Sequence, residues 1–147
     1  MKESIGSIQL FIIVLTMVML FSGIMAFTIN RSNAFAVKDK IISIIEENGG
    51  IENLTNDKSK TIEKIVDSLT EKRYRQNGIC PENAVCYSRD GTVSTSNAAF
   101  AIIKTKSTAS ERNAYYYKVV VYYNLDIPVI KTLFNFQLSG ETKALSK

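Results

Sequence analysis

The residues able to do chemistry are few. The 147-residue chain has no histidine and two cysteines. The absence of histidine removes the Ser-His-Asp and Cys-His nucleophile systems and the usual zinc sites. The cysteines stand six apart in Cys80-Pro-Glu-Asn-Ala-Val-Cys86. That is too wide for a Cys-x-x-Cys redox motif, and two ligands without histidine are too few for zinc. The spacing suits a small disulfide loop, with Pro81 and Asn83 favouring the turn. A bridge of this size contributes about 2–2.5 kcal/mol by restricting the unfolded chain. It also places the segment outside the reducing cytoplasm. The alternative is two unpaired, buried thiols packing as small hydrophobes. Glu46-Glu47 and Asp126 are the carboxylates worth weighing for acid–base work, but they fall on a helical surface and a strand edge. Asn53-Leu54-Thr55 fits a glycosylation sequon. No phosphate loop or dinucleotide fingerprint is present. The expectation is a non-enzyme with no cofactor and no metal.

Two further groups concern binding. Tyr115, Tyr117 and Tyr123 share one face of a strand, while Tyr116 and Tyr122 share the other. If exposed, the first three could bind sugar, wall polymer or another subunit. If buried, they are cross-strand packing, the commoner use of strand aromatics. The net charge is +4. Arg73, Arg75, Lys104, Lys106 and Lys118 could form a basic patch toward anionic wall or lipid, though scattered lysines ordinarily make a solvated surface. Nucleic acid is not an expected partner.

The elements that position these groups begin with a block free of charge from Ser4 to Asn30. Ile8 to Ile29 reads IQLFIIVLTMVMLFSGIMAFTI, and a bilayer core of about 30 Å needs about 20 apolar helical residues. A transmembrane helix over residues 1–30, behind a short leader, follows. Gln9, Thr16, Ser22 and Gly23 are its candidate helix–helix contacts. The rival reading is a cleaved secretory signal with Ala34-Phe35-Ala36 as its small-x-small site, and the length of the apolar run favours retention. Residues 31–50 continue in helical register, with Ala34, Val37, Ile41, Ile44 and Ile45 on one stripe and Gly49-Gly50 as the stop. One long helix, or two broken at Asn30 to Asn33, both fit this pattern.

Residues 51–147 form the remaining unit. A second amphipathic helix is expected over Asp57 to Arg73, with Ile62, Ile65, Val66 and Leu69 inward and Asn56 or Asp57 as its cap. Asp90-Gly91 signals a hairpin between Val85–Tyr87 and Thr92–Ser94. Strands are expected over Ala99 to Thr105 and Ala114 to Asn124, joined by a loop from Ser107 to Asn113. Pro128 ends or bends the long strand, and a last strand is expected within Thr132 to Leu145. The fold class is α+β: a transmembrane helix continuing into an amphipathic one, then a small antiparallel sheet with a packed helix.

MKESIG followed by SIQLFIIVLTMVMLFSGIMAF resembles the start of type IV prepilin-like proteins. The C-terminal VVVYYNLDIPVIKTLFNFQLSGETKAL resembles the end of TadE-like pseudopilins of bacterial tight-adherence systems. The two regions cover about a third of the chain. The resemblance implies leader cleavage between Gly6 and Ser7. It also implies a single-pass protein with its head outside the cell membrane, whose partners are membrane lipid and other pilin-like or assembly proteins, with a homo-oligomer among the possibilities. The Glu that these families carry near the start of the apolar helix is replaced here by Phe11, which leaves an uncleaved accessory subunit as the variant within that reading. Usage rich in Lys, Ile and Asn suits a low-GC, Gram-positive source. A membrane-anchored module that recognises wall polymer through the tyrosine face is the other class to be distinguished. Arg31, Lys38 and Lys40 after the apolar block oppose the outward orientation by the positive-inside rule, whereas the cysteine pair favours it.

Overall fold

The fold comes from a computed structural model that describes residues 2–51, 59–71, 78–106, 114–124 and 135–146. Helix α1 (Lys2–Glu47) is continuous, so there is no break at Asn30 to Asn33. Its stop is a Schellman motif: Gly49 N–H donates to Glu46 O (3.1 Å) and Gly50 N–H to Ile45 O (2.9 Å). Gly49 adopts φ 68°, a left-handed conformation that residues with a Cβ rarely take. Helix α2 (Lys60–Glu71) starts three residues later than expected. Its cap is Ser59, whose Oγ accepts from Ile62 N–H at 3.3 Å, the ordinary bond from the third helical residue to the cap. Asn56, Asp57 and Arg73 lie outside the described residues, as do the sequon at Asn53, the loop from Ser107 to Asn113, and Pro128.

The sheet comprises β1 (Val85–Tyr87), β2 (Phe100–Lys106), β3 (Ala114–Asn124), β4 (Asn135–Glu141) and β5 (Leu145–Ser146). Its order is β1-β2-β3-β4, with β5 also pairing with β3, and every pairing is antiparallel. Two expectations are corrected. The turn at Asp90-Gly91 forms, with Gly91 at φ 80° and Ser88 N–H donating to Thr92 O at 2.8 Å. The returning segment, however, makes only an isolated bridge from Tyr87 to Val93. Thr92 to Ser94 lacks the apolar alternation that would bury a strand, and β1 finds its ladder on β2 instead. The last strand is cut in two at Thr142. Its N–H donates to Tyr117 O at 2.9 Å, while its Oγ1, in place of a backbone carbonyl, accepts from Tyr117 N–H at 3.0 Å. The hydroxyl satisfies β3 there and releases the chain to turn.

Both helices cover one face of the sheet. Ala34, Val37, Ile41 and Ile45 of α1 and Ile62, Ile65 and Leu69 of α2 pack with Tyr87, Phe100, Ile102, Val119 and Val121 in a single core. The upper half of α1 is therefore part of the head and not a free stalk. The opposite face is covered near β1 by the segment from Gly78 to Ala84, where Cys86, Ala98, Ala101, Val120 and Tyr122 form a second cluster.

Candidate membrane anchor and contact surfaces

From Gly6 on, the lower half of α1 has no buried residue. Gly6 to Ser22 are exposed without interruption, from Ile8 at 59% to Leu20 at 64%, and Met25 reaches 70%. One long apolar helix, within Gly6–Glu47, is able by length and composition to cross a membrane. Contact with the head begins at Phe27, whose ring meets Phe136 edge-on at 5.4 Å; Phe136 in turn stacks on Tyr123. One turn on, Asn30 Nδ2 donates to Asn124 O at 3.3 Å. The free stretch from Ser7 to Ala26 rises about 30 Å at 1.5 Å per residue, the thickness of a bilayer core. The head therefore starts where the hydrocarbon would end.

The four candidate helix–helix residues do not share one face. At about 100° per residue, Gln9, Thr16 and Gly23 fall within about 40° of one another, in the direction of Ala34 and Ile41. Ser22 lies about 100° from Gly23 and leaves the set. Thr16 Oγ1 donates to Ile12 O at 2.8 Å, so its hydroxyl is satisfied without a partner helix. A side chain at Gly23 or Gly6 would meet nothing within 4 Å, so each leaves the helix surface open to close approach. Ser7 is exposed beside Gly6. The small-x-small site at Ala34-Phe35-Ala36 sits mid-helix with Ala34 at 0% exposure. A cut after Ala36 would remove Ala34 and the Phe27 contact from the head.

Cys80 and Cys86 form a disulfide, with Cα atoms 5.8 Å apart, and no free cysteine remains. Ala84 N–H donates to Pro81 O at 3.1 Å, closing the turn that Pro81 favours. Cys86 is buried and Cys80 half-buried, so the bridge pins the cover over the second cluster.

Two of the three tyrosines on the candidate binding face are buried. Tyr117 and Tyr123 are each 4% exposed and belong to the core beneath α1. Tyr115 is half-buried, with Lys104 Nζ 4.5 Å from its ring centroid. Alternation along β3 turns all three toward the helix layer, where apolar area is removed from water. Tyr117 Oη also accepts from Ile51 N–H at 3.3 Å. On the other face Tyr122 is buried, and burial pushes its phenol pKa up. Its Oη has no hydrogen-bond partner among the described residues.

Two of the three weighed carboxylates accept hydrogen bonds within the protein. Glu46 Oε1 accepts from Lys143 N–H at 2.8 Å, and Glu47 Oε1 from Ser43 Oγ at 3.1 Å. Asp126, Arg73 and Arg75 lie outside the described residues. Among the described residues no group of three His, Cys, Asp or Glu side chains could hold a metal. Lys104 and Lys106 are exposed and Lys118 half-buried.

One cluster went unread in the sequence. Arg31, Phe35 and Lys38 follow an i, i+4, i+7 spacing just above the apolar block. The Arg31 guanidinium lies 5.5 Å from the Phe35 ring centroid and Lys38 Nζ 5.0 Å. That spacing is the sequence signal, since it places the three side chains on one helix face. Set against family models, curated proteins and solved structures, the chain finds no match.

Proposed function

We propose that this protein is a single-pass, pilin-like (TadE-like) structural or accessory subunit of a bacterial pilus or secretion assembly. It acts by helix packing in the membrane and by contacts of its outward-facing head, without catalysis. The observation that carries the reading is the division of one unbroken helix. About 30 Å of it is uncharged and largely apolar with none of its residues buried, and the upper part is built into the core of an α+β head. A lone soluble domain would not leave so large an apolar surface bare. The Cys80–Cys86 disulfide supports a head outside the cytoplasm.

The partners are lipid and other membrane helices, a second copy of this chain among them. Gln9, Thr16 and Gly23 supply the contact face. That face points to the side on which the head hangs, so a partner helix using it must end below the head or be offset along the axis.

The test is Gly23→Leu in full-length protein, read by in-membrane cross-linking. A several-fold loss of cross-linked oligomer is expected. An unchanged oligomer would refute packing on this face. Intact mass of the native protein, before and after reduction, checks processing: a chain starting at Ser7 with the bridge intact is the expected form, and one retaining Met1 assigns the uncleaved accessory role.

A further inference from the structure

We infer that Arg31, backed by Phe35 and Lys38, binds the headgroup of an anionic phospholipid at the foot of the head. The inference rests on the membrane-span reading above.

Arg31 stands five residues above Ala26, about 7.5 Å along the axis. The headgroup layer on each side of the hydrocarbon is about 5–7 Å thick, so the Arg31 backbone stands at its outer edge and a side chain leaning toward the helix N-terminus carries the guanidinium to phosphate height. Among the described residues Arg31 has no carboxylate partner. The carboxylates farther up α1 are otherwise engaged: Asp39 holds Lys38 at 3.0 Å, Glu46 takes Lys143 N–H, and Glu47 takes Ser43. Among the described residues, the neighbouring side chains at the membrane end of the head are Asn30 and Asn124, which bond to each other through side chain and backbone, and Asn135 opposite Asn124 in register. None is charged, so nothing described there repels an anion.

The cluster is braced. Lys38 has a side chain only 14% exposed, and its Cδ and Cε crowd the backbone of Gly140, where an added Cβ would lie 3.0 and 3.2 Å from them. Its ammonium and the Arg31 guanidinium both lie against the Phe35 ring, 5.0 and 5.5 Å from its centroid. Side chains on a helix lean toward its N-terminus, which brings Lys38 down toward the membrane. The ring backs the exposed guanidinium, whose fork of N–H donors matches two phosphate oxygens. Lys38, part-neutralised by Asp39, adds a weaker attraction. A zwitterionic headgroup offers the same phosphate but carries a cation that meets this positive cluster unfavourably.

The experiment uses full-length protein in nanodiscs of phosphatidylcholine, with or without phosphatidylglycerol, and counts lipids retained on release by native mass spectrometry. Wild-type protein should retain phosphatidylglycerol in preference to phosphatidylcholine. Arg31→Gln should retain about fivefold less of it, the effect of one basic residue at an anionic surface. Arg31→Lys, a point charge without the fork, should fall between. Lys104→Gln, at the far end of the head, should match wild type, and excess inorganic phosphate should displace nothing. Equal retention of the two lipids, or an Arg31→Gln protein that matches wild type, would overturn the inference. Displacement by free phosphate would overturn the assignment to lipid. A wild-type protein that stays soluble and never enters a nanodisc would instead refute the membrane span, an outcome seen before any lipid is counted.

Discussion

Gly78→Ala tests how the second cluster is closed. A Cβ built at Gly78 lies 2.1 Å from Tyr122 Cγ, 2.3 Å from Cδ1 and 2.6 Å from Cδ2. Ordinary contact begins near 3.4 Å, so the ring and the Gly78 backbone must separate by more than 1 Å. Neither yields easily. The clash is at the root of the ring, where rotation of the side chain gains little. Tyr122 N–H is tied to Ala99 O at 3.1 Å, and Gly78 is bonded in both directions to Ala98, at 2.9 and 3.1 Å. Overpacking a rigid core ordinarily costs about 1–3 kcal/mol, and this site belongs at the upper end, about 3 kcal/mol. Urea unfolding in non-ionic detergent, followed by tyrosine near-ultraviolet circular dichroism, reports on the head while the apolar helix stays folded in the micelle. With a slope of about 2 kcal/mol per molar urea, the midpoint should fall by about 1.5 M. The decisive measurement is a double-mutant cycle. Tyr122→Ala alone should cost about 3–5 kcal/mol, and in that background Gly78→Ala should be close to neutral, giving a coupling of about 3 kcal/mol. Tyr122→Phe keeps the ring and should not rescue. A Gly78→Ala cost below about 1 kcal/mol, or the same cost with and without the ring, would refute the reasoning.

Two predictions concern the same cluster. Cys80→Ser with Cys86→Ser should lower head stability by about 2–2.5 kcal/mol, and reductant should bring wild type to the same midpoint but leave the double variant unmoved. Tyr122→Phe should be neutral or stabilising by up to about 1 kcal/mol at neutral pH, because it removes a buried hydroxyl with no partner. Since burial raises the Tyr122 pKa in the folded state, the unfolded chain releases this proton first as pH rises. The wild type should therefore lose stability above about pH 10, where tyrosine ionises in the unfolded chain. Denaturation midpoints across that range should show a steeper decline for wild type than for Tyr122→Phe, and parallel curves would count against the assignment.

Local signals carried much of this fold. An uncharged apolar run longer than a bilayer is thick has few ways to satisfy its backbone other than as a helix, and α1 contains it. Ala114 to Asn124 became β3 over its whole length because β-branched and aromatic residues have the same preference on either face. Cys80 and Cys86 met because so short a loop leaves them little room to do otherwise. What stayed hidden depended on distant partners. Whether Tyr117 and Tyr123 faced water or core could not be read from β3 itself, since alternation assigns faces but not which face a helix will cover; α1, more than 70 residues earlier in the chain, decided it. The break at Thr142 required a hydroxyl to stand in for a carbonyl opposite Tyr117, a contact across 25 residues. Asp90-Gly91 formed its turn but lost its second strand, because β2 was the better partner for β1. Gly78 looked like an ordinary loop glycine until Tyr122 was placed against it. Composition and period, which act over a few residues, determined what each segment is and that one of them is long and apolar enough for a membrane. Burial, which depends on what arrives from elsewhere in the chain, was decided only by the tertiary structure. It separated packing residues from those left free to meet lipid or another subunit.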